Sequence, residues 1–204
     1  MDSIIDLSQP IEDNMPVYPG DTRTGLYQSS FLSSDGHNNH RLEINMHSGT
    51  HIDSPMHMTD SSSYISQEPL ESFYGNGCIV DARSLPVITM KEEYEDIIKE
   101  GSIVLLHTGW DRYYGTPRYY EYPTVSADFC RHLIRNNIKM LGMDMPSPDN
   151  YPFESHKLLF EHGVYILENM TNLDKLLDIS HFEVIAFPLK IKADSSITRA
   201  VARW

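Results

Sequence analysis

The chain has 204 residues, 29 acidic against 16 basic, and a formal net charge of -13. It is long enough for one domain with a sizeable core. It is wrongly charged for nucleic acid or an anionic membrane as a main partner, since both select an excess of Lys and Arg. Two cysteines, Cys78 and Cys130, cannot supply a disulfide framework or a Cys-rich zinc site, and a cytoplasmic location follows as the expectation.

The N-terminal stretch MDSIIDLSQPIEDNMP is acidic and lacks a long apolar core, so it does not read as a signal peptide. No run of ~18 apolar residues offers a membrane span. Ile4 to Leu7 is a short strand candidate, and Asp13 to Asp21 is a turn-rich loop. Arg41 to Met46 alternates, with Leu42, Ile44 and Met46 on one side, which predicts a half-buried strand feeding His47.

Gly77 to Val80 and Ile103 to Leu106 read as buried strands. An amphipathic helix is predicted between them, from Met90 to Glu100, stopping at Gly101. Ser126 is placed to cap a helix from Ala127 to Asn136 that carries Phe129, Leu133 and Ile134 on one side. Met140 to Met143 and Val164 to Leu167 follow as strands, and Val184 to Ile191 and Ile197 to Ala202 close the chain. Strands alternate with helices and no repeat or linker interrupts them. The expectation is one α/β domain over residues 1–204, a layered mixed sheet with flanking helices.

The densest chemistry lies in HSGTHIDSPMH, from His47 to His57. Imidazole and carboxylate are the metal-binding side chains when thiolates are absent. His47, His51, Asp53 and His57 share parity, so a straight strand would point all four one way. Four residues of strand span roughly 13 Å, whereas donors on one zinc sit at ~2.0–2.2 Å from it. The chain must therefore bend, and Gly49 permits the bend. His47, His51 and Asp53 can then converge on one ion. Pro55 sets His57 apart, as a fourth imidazole suited to general acid–base work. His37, His40, His132, His162 and His181 have no such company and read as packing or surface residues.

The string HSGTHIDSPMH resembles the H-x-G-T-H-x-D-x-P-x-H signature of the putative cyclase family, which includes bacterial kynurenine formamidases and isatin hydrolases. PVYPGD from Pro16 resembles its N-terminal substrate loop, HTGW from His107 its T-G-W turn, and GMDMPSPD from Gly142 its G-x-D-x-x-S-x-D element. SHK from Ser155 and LENMTNL from Leu167 resemble its late segments. These matches run in order along most of the chain.

The resemblance implies a cyclase-like swivelling β/β/α fold and a two-metal site. His47, His51 and Asp53 would hold the first metal. Asp53 would bridge to a second, bound also by His156 and Glu168, and His57 would carry protons. The implied reaction is hydrolysis of a small N-acyl, formyl or cyclic amide. A divalent ion brings its bound water toward neutrality as a nucleophile, and His57 serves the leaving nitrogen.

Zinc is the first choice of ion and manganese the second, with iron chemically compatible and one or two ions per subunit. A homodimer or homotetramer is also implied. No G-x-S-x-G or HExxH pattern points to serine-type or zincin chemistry. Two alternatives stand beside the amide hydrolase: a relative acting on another small carbonyl, such as a lactone, an isatin-like or a cyclisation substrate, and a catalytically idle metal-binding protein.

Two segments depart from the family pattern. Tyr18 stands where kynurenine formamidases carry Trp, and it retains a ring that can stack on a flat substrate. The closing ADSSITRAVA from Ala193 lacks the usual Gly and Pro, which predicts a differently shaped loop beside the pocket. Trp110, Tyr113 and Tyr114 are candidates either to line an aromatic pocket or to pack in the core.

Overall fold

The computed structural model describes residues 3–204. Its strands are β1 (Ile4–Asp6), β2 (Gly25–Ser30), β3 (Asn39–Glu43), β4 (His51–Asp53), β5 (Tyr74–Asp81), β6 (Val87–Ile88), β7 (Ile103–His107), β8 (Thr124–Val125), β9 (Met140–Met143), β10 (Tyr165–Glu168), β11 (Phe182–Ile185), β12 (Ser195–Ile197) and β13 (Val201–Arg203). The helices are α1 (Leu32–Asp35), α2 (Glu92–Glu95), α3 (Ala127–Arg135) and α4 (Glu154–Glu161).

Nine strands form one mixed sheet in the order β1-β13-β11-β5-β7-β9-β10-β4-β12. Its centre, β5-β7-β9-β10, is parallel, and both flanks are antiparallel. The central strands read as unbroken apolar runs because both faces of the sheet are covered. Val104, Leu106, Leu141, Met143 and Ile166 pack on one side with Phe129 and Leu133 of α3 and Leu159 and Phe160 of α4. Ile103, Leu105, Met140 and Leu167 pack on the other with Phe73, Leu173 and Leu176. Each fully buried aliphatic side chain contributes about 1.5–3 kcal/mol.

The cap of α3 is as predicted: Ser126 Oγ accepts from the Phe129 N–H at 3.2 Å. Both cysteines are free, and no helix among the described residues is long and apolar enough to cross a membrane.

Several expectations need correction. The predicted strand over 41–46 ends at Glu43 and is exposed throughout. It pairs with β2, outside the main sheet, as an antiparallel ribbon. Its alternation marks a two-sided ribbon rather than a half-buried strand. The helix predicted over 90–100 is a single α-turn, α2, with only Tyr94 of it buried. Met90 and Ile97 reach the core from turns instead. The segment 184–191 is strand only to Ile185. The segment 197–202 is two strands, β12 and β13, broken at residues 198–200 and pairing at different places in the sheet.

The sheet creates a functional position at one end. β10 is the last parallel strand, and its far neighbour β4 runs antiparallel to it. Open α/β sheets bind ligands beyond the carboxyl ends of their strands, where the topology changes. Glu168 is the carboxyl-terminal residue of β10.

Candidate active site

The site is built from β4 outward. Alternation along β4 sends Ile52 into the core and leaves His51 and Asp53 on the opposite face. In the ladder to β10, Glu168 lies across from His51 and Ile166 across from Asp53, so Glu168 shares that face. Before β4 the chain bends as expected: Gly49 adopts φ 61°. A Cβ there would lie 2.7 Å from Met15 Cε, the mobile end of a side chain that can give way, so it is the positive φ that calls for glycine. The turn returns His47 over the strand, with its ring centroid 5.3 Å from that of His51.

His51 Nδ1 is 2.8 Å from the Gly49 carbonyl and donates to it. Its Nε2 then faces carboxylates, 3.3 Å from Asp53 Oδ1 and 3.3 Å from Glu168 Oε2. His51 Nε2, Asp53 Oδ1 and Glu168 Oε1 are all buried without a well-formed hydrogen bond; histidine nitrogens alone approach the two oxygens, His47 Nδ1 at 2.9 Å from Asp53 Oδ1 and His156 Nε2 at 3.3 Å from Glu168 Oε1. Two buried carboxylates converging on one unpartnered imidazole nitrogen call for a positive charge among them. The donor set, imidazole plus carboxylate, suits a divalent cation.

Two triads have ligating atoms within 4.8 Å of one another: His51, Asp53 and Glu168; and His47, Asp53 and His57. Without a cation the rings take up the charge. Burial pulls the His47 pKa down, but the Asp53 charge and the Asp194 hydrogen bond outweigh it and raise it to about 11. Asp53 is buried, which disfavours its charge, yet the flanking His51 and His47 hold it below the usual carboxylate range.

His156 completes the cluster from the first turn of α4, with Nε2 3.3 Å from Glu168 Oε1. Asp149 fixes it twice over. Its Oδ1 accepts from His156 Nδ1 at 2.6 Å, and its Oδ2 accepts from the Ser155 N–H at 2.6 Å, closing the start of the helix. Burial lowers the His156 pKa, and the hydrogen bonds to Asp149 and Glu168 override it to about 9.

His57 lies near the cluster, with a ring nitrogen within 4.8 Å of ligating atoms of His47 and Asp53. The 3-10 turn Pro55–His57 folds it back, so that its ring stands 4.1 Å from the His47 ring. A proline at the start of that turn supplies the required φ and directs the chain inward. His57 Nδ1 is 2.9 Å from Asp194 Oδ2, and the same oxygen is 2.9 Å from His47 Nε2. Ser195 Oγ is 3.0 Å from that nitrogen.

Sequence reasoning did not assign roles to Asp149 and Asp194. Asp149 was visible as the end of GMDMPSPD, seven residues before His156. Asp194 lies 137 residues after His57, and only the β4–β12 pairing brings it there. The HTGW and GMD segments meet each other rather than the cluster. Asp144 accepts from the backbone N–H groups of Thr108 and Gly109, at 2.9 and 2.7 Å, and from His107 Nδ1 at 3.1 Å.

A cleft of about 230 Å³ opens on the cluster, lined by His47, His57 and Glu168 and by the rings of Tyr18, Tyr114 and Phe153. Tyr18 therefore faces the same space as the histidines. Trp110 and Tyr113 do not line it. Trp110 packs against the core and donates its indole N–H to the Tyr119 carbonyl at 3.0 Å. The isolated histidines stand apart: His37, His40, His162 and His181 are exposed, and His132 is buried beside Asn136.

A family model described as "putative cyclase" matches residues 5–150. A kynurenine formamidase of Bacillus mycoides is 34% identical over 209 residues, covering 98% of this chain and 96% of its own. A structure described as a predicted metal-dependent hydrolase from Bacillus stearothermophilus superposes with a TM-score of 0.81 at 25% identity, covering 100% of this chain and 98% of that one. Isatin hydrolase A from Labrenzia aggregata shares the fold, with a TM-score of 0.87 at 24% identity over 99% of this chain and 93% of its own. With the His-Asp cluster, the cleft above it and a match along nearly the full length, the chain belongs to the putative cyclase family.

Proposed function

We propose that the protein is a metal-dependent amidohydrolase, arylformamidase-like, that opens the C–N bond of a small N-acyl, N-formyl or cyclic amide. The observation that carries this reading is the convergence of buried ligating atoms of His51, Asp53 and Glu168, all within 4.8 Å of one another, at a cleft lined with aromatic rings. His47, His51 and Asp53 would hold one cation, and Asp53, His156 and Glu168 a second. Zinc is the first candidate and manganese the next. A divalent ion supplies Lewis acidity, bringing water toward neutral pKa and polarising a carbonyl.

The protein's own groups do the rest. Tyr18 offers a ring face for a flat substrate. His57 takes a proton from the attacking water and returns it to the departing nitrogen. Its place on the cleft, beside the cluster, favours an enzyme over an idle metal carrier, for which a further half-buried imidazole has no use. The substrate is a small molecule, and relatives named for kynurenine formamide and isatin hydrolysis support an aromatic one. We place the protein in the cytoplasm as a homodimer or homotetramer of one hydrolase domain over residues 1–204.

The test is a panel assay of zinc- and manganese-loaded protein on N-formylkynurenine, isatin, simple N-acyl anilines and small aromatic lactones. Metal-dependent release of the amine or ring-opened acid from at least one of them is expected. Turnover of lactones alone would move the protein to another carbonyl class. No turnover of any, with full metal loading, would refute the reading.

A further inference from the structure

Asp194 is the carboxylate that the cluster and the proton carrier share. Its Oδ2 lies 2.9 Å from His47 Nε2 and 2.9 Å from His57 Nδ1. We propose that Asp194 is a positioning residue that sets the tautomers of both rings at once, so that His47 presents Nδ1 to the cation and His57 keeps Nε2 free for the proton. The inference rests on the metal-dependent reading above.

The argument begins with how Asp194 is held. Ser195 pairs with Asp53 in the β4–β12 ladder, so Asp194 sits beside the ligand strand, one residue before that pair. Its carbonyl accepts from the Ser54 N–H at 3.1 Å and from the Ser54 hydroxyl at 2.7 Å. The preceding Ala193 carbonyl accepts from the Ile65 N–H at 2.9 Å. The segment is thus anchored on the motif itself, between Asp53 and Pro55. A carboxylate so fixed has a defined position relative to both rings.

Chemistry assigns the direction of each contact. A carboxylate only accepts, so a ring nitrogen facing it carries the hydrogen. For His57 this places the hydrogen on Nδ1 and the lone pair on Nε2, the state a general base requires. For His47 it places the hydrogen on Nε2. Its Nδ1 faces the Asp53 carboxylate in the same way, 2.9 Å from Oδ1, and a cation shared with Asp53 would take the place of the hydrogen there. Metal-ligating histidines commonly donate their second N–H to a carboxylate in this way. What is particular here is that one oxygen serves a ligand and a proton carrier together. The closing segment ADSSITRAVA is the one that delivers it.

The test uses the full chain, zinc-loaded and 15N-labelled at histidine, as wild type and as Asp194→Asn and Asp194→Ala. Long-range proton–nitrogen spectra of the wild type are expected to show His57 protonated at Nδ1 alone. In the variants His57 should shift to the Nε2–H form or a mixture. Zinc affinity, read by competition with a chelator, should fall about 10- to 100-fold as His47 loses its partner. An Nε2–H His57 in the wild type would overturn the proposal, as would unchanged tautomer and unchanged affinity in both variants. Variants that do not fold leave the wild-type spectrum to decide. Neither measurement uses a substrate, so a wrong substrate class leaves both results standing. A wild type that holds no zinc refutes the metal reading, while the ring nitrogens still report the Asp194 contact.

Discussion

Glu168 lies directly across the β4–β10 ladder from His51, with its Oε2 3.3 Å from His51 Nε2. A ladder pair of this kind fixes two side chains on one face with little freedom. It joins the opening motif to a residue more than a hundred positions later. Removing either end of the cluster should therefore remove the ion. Asp53→Ala is expected to abolish metal binding, and Glu168→Gln to leave less than one ion per chain. Metal analysis of the purified, dialysed proteins checks both; wild-type metal content in Asp53→Ala would remove Asp53 from the ligand set.

His57→Ala should separate binding from turnover. General acid–base catalysis contributes about 10²- to 10⁴-fold, so kcat should fall by that much while metal content remains at the wild-type level. A variant with intact turnover would show that His57 does not carry the proton.

The histidines predict a definite pH dependence. In the metal-free protein the pKa of His156 is raised to about 9 and that of His47 to about 11, both above the ordinary value of 6.5. Their contribution to folding is therefore fully present below about pH 6.5 and is lost as pH rises through 9 and then 11. A cation needs the nitrogens that these protons occupy. Apparent zinc affinity should rise with pH from 6.5 to 9, with protons released on binding. Calorimetry in two buffers of different ionisation enthalpy measures the release. An affinity that falls over this range would contradict the assignment.

Gly49→Ala tests the bend. Its φ of 61° strains any residue with a Cβ, and the new methyl would meet the end of the Met15 side chain. The strain costs about 1–3 kcal/mol, while Met15 can shift. A loss of that size in denaturant unfolding is expected, together with weaker metal binding, because the turn aims His47. Stability and metal affinity equal to wild type would show that the turn does not depend on glycine.

Ser126→Ala removes the hydroxyl that caps α3. A loss of about 1 kcal/mol is expected, with activity unaffected because α3 touches the core and not the cleft. Denaturant midpoints and steady-state rates report the two quantities separately.

Much of this was legible in the chain itself. Strands β5, β7, β9 and β10 are continuous apolar runs, and the Ser126 cap is a local hydrogen bond three residues long. HSGTHIDSPMH carries its ligands within eleven residues, and its one necessary bend is marked by Gly49. These are determined by sequence because the interactions that make them are short in range: backbone period, capping, and turn conformation. The helix predicted over 90–100 failed because apolar spacing marks which residues reach the core and not the backbone that brings them there: Tyr94 and Ile98 are buried, yet only Glu92–Glu95 are helical.

Only the tertiary structure decided how the cluster is completed and who holds it. Glu168 reaches His51 through a strand register, and Asp149 reaches His156 by closing the start of α4. Asp194 reaches His47 and His57 because β12 pairs with β4. The Glu168 and Asp194 contacts depend on which strands pair and in what register. That is settled by burial of both sheet faces across the whole chain, a property no local pattern encodes.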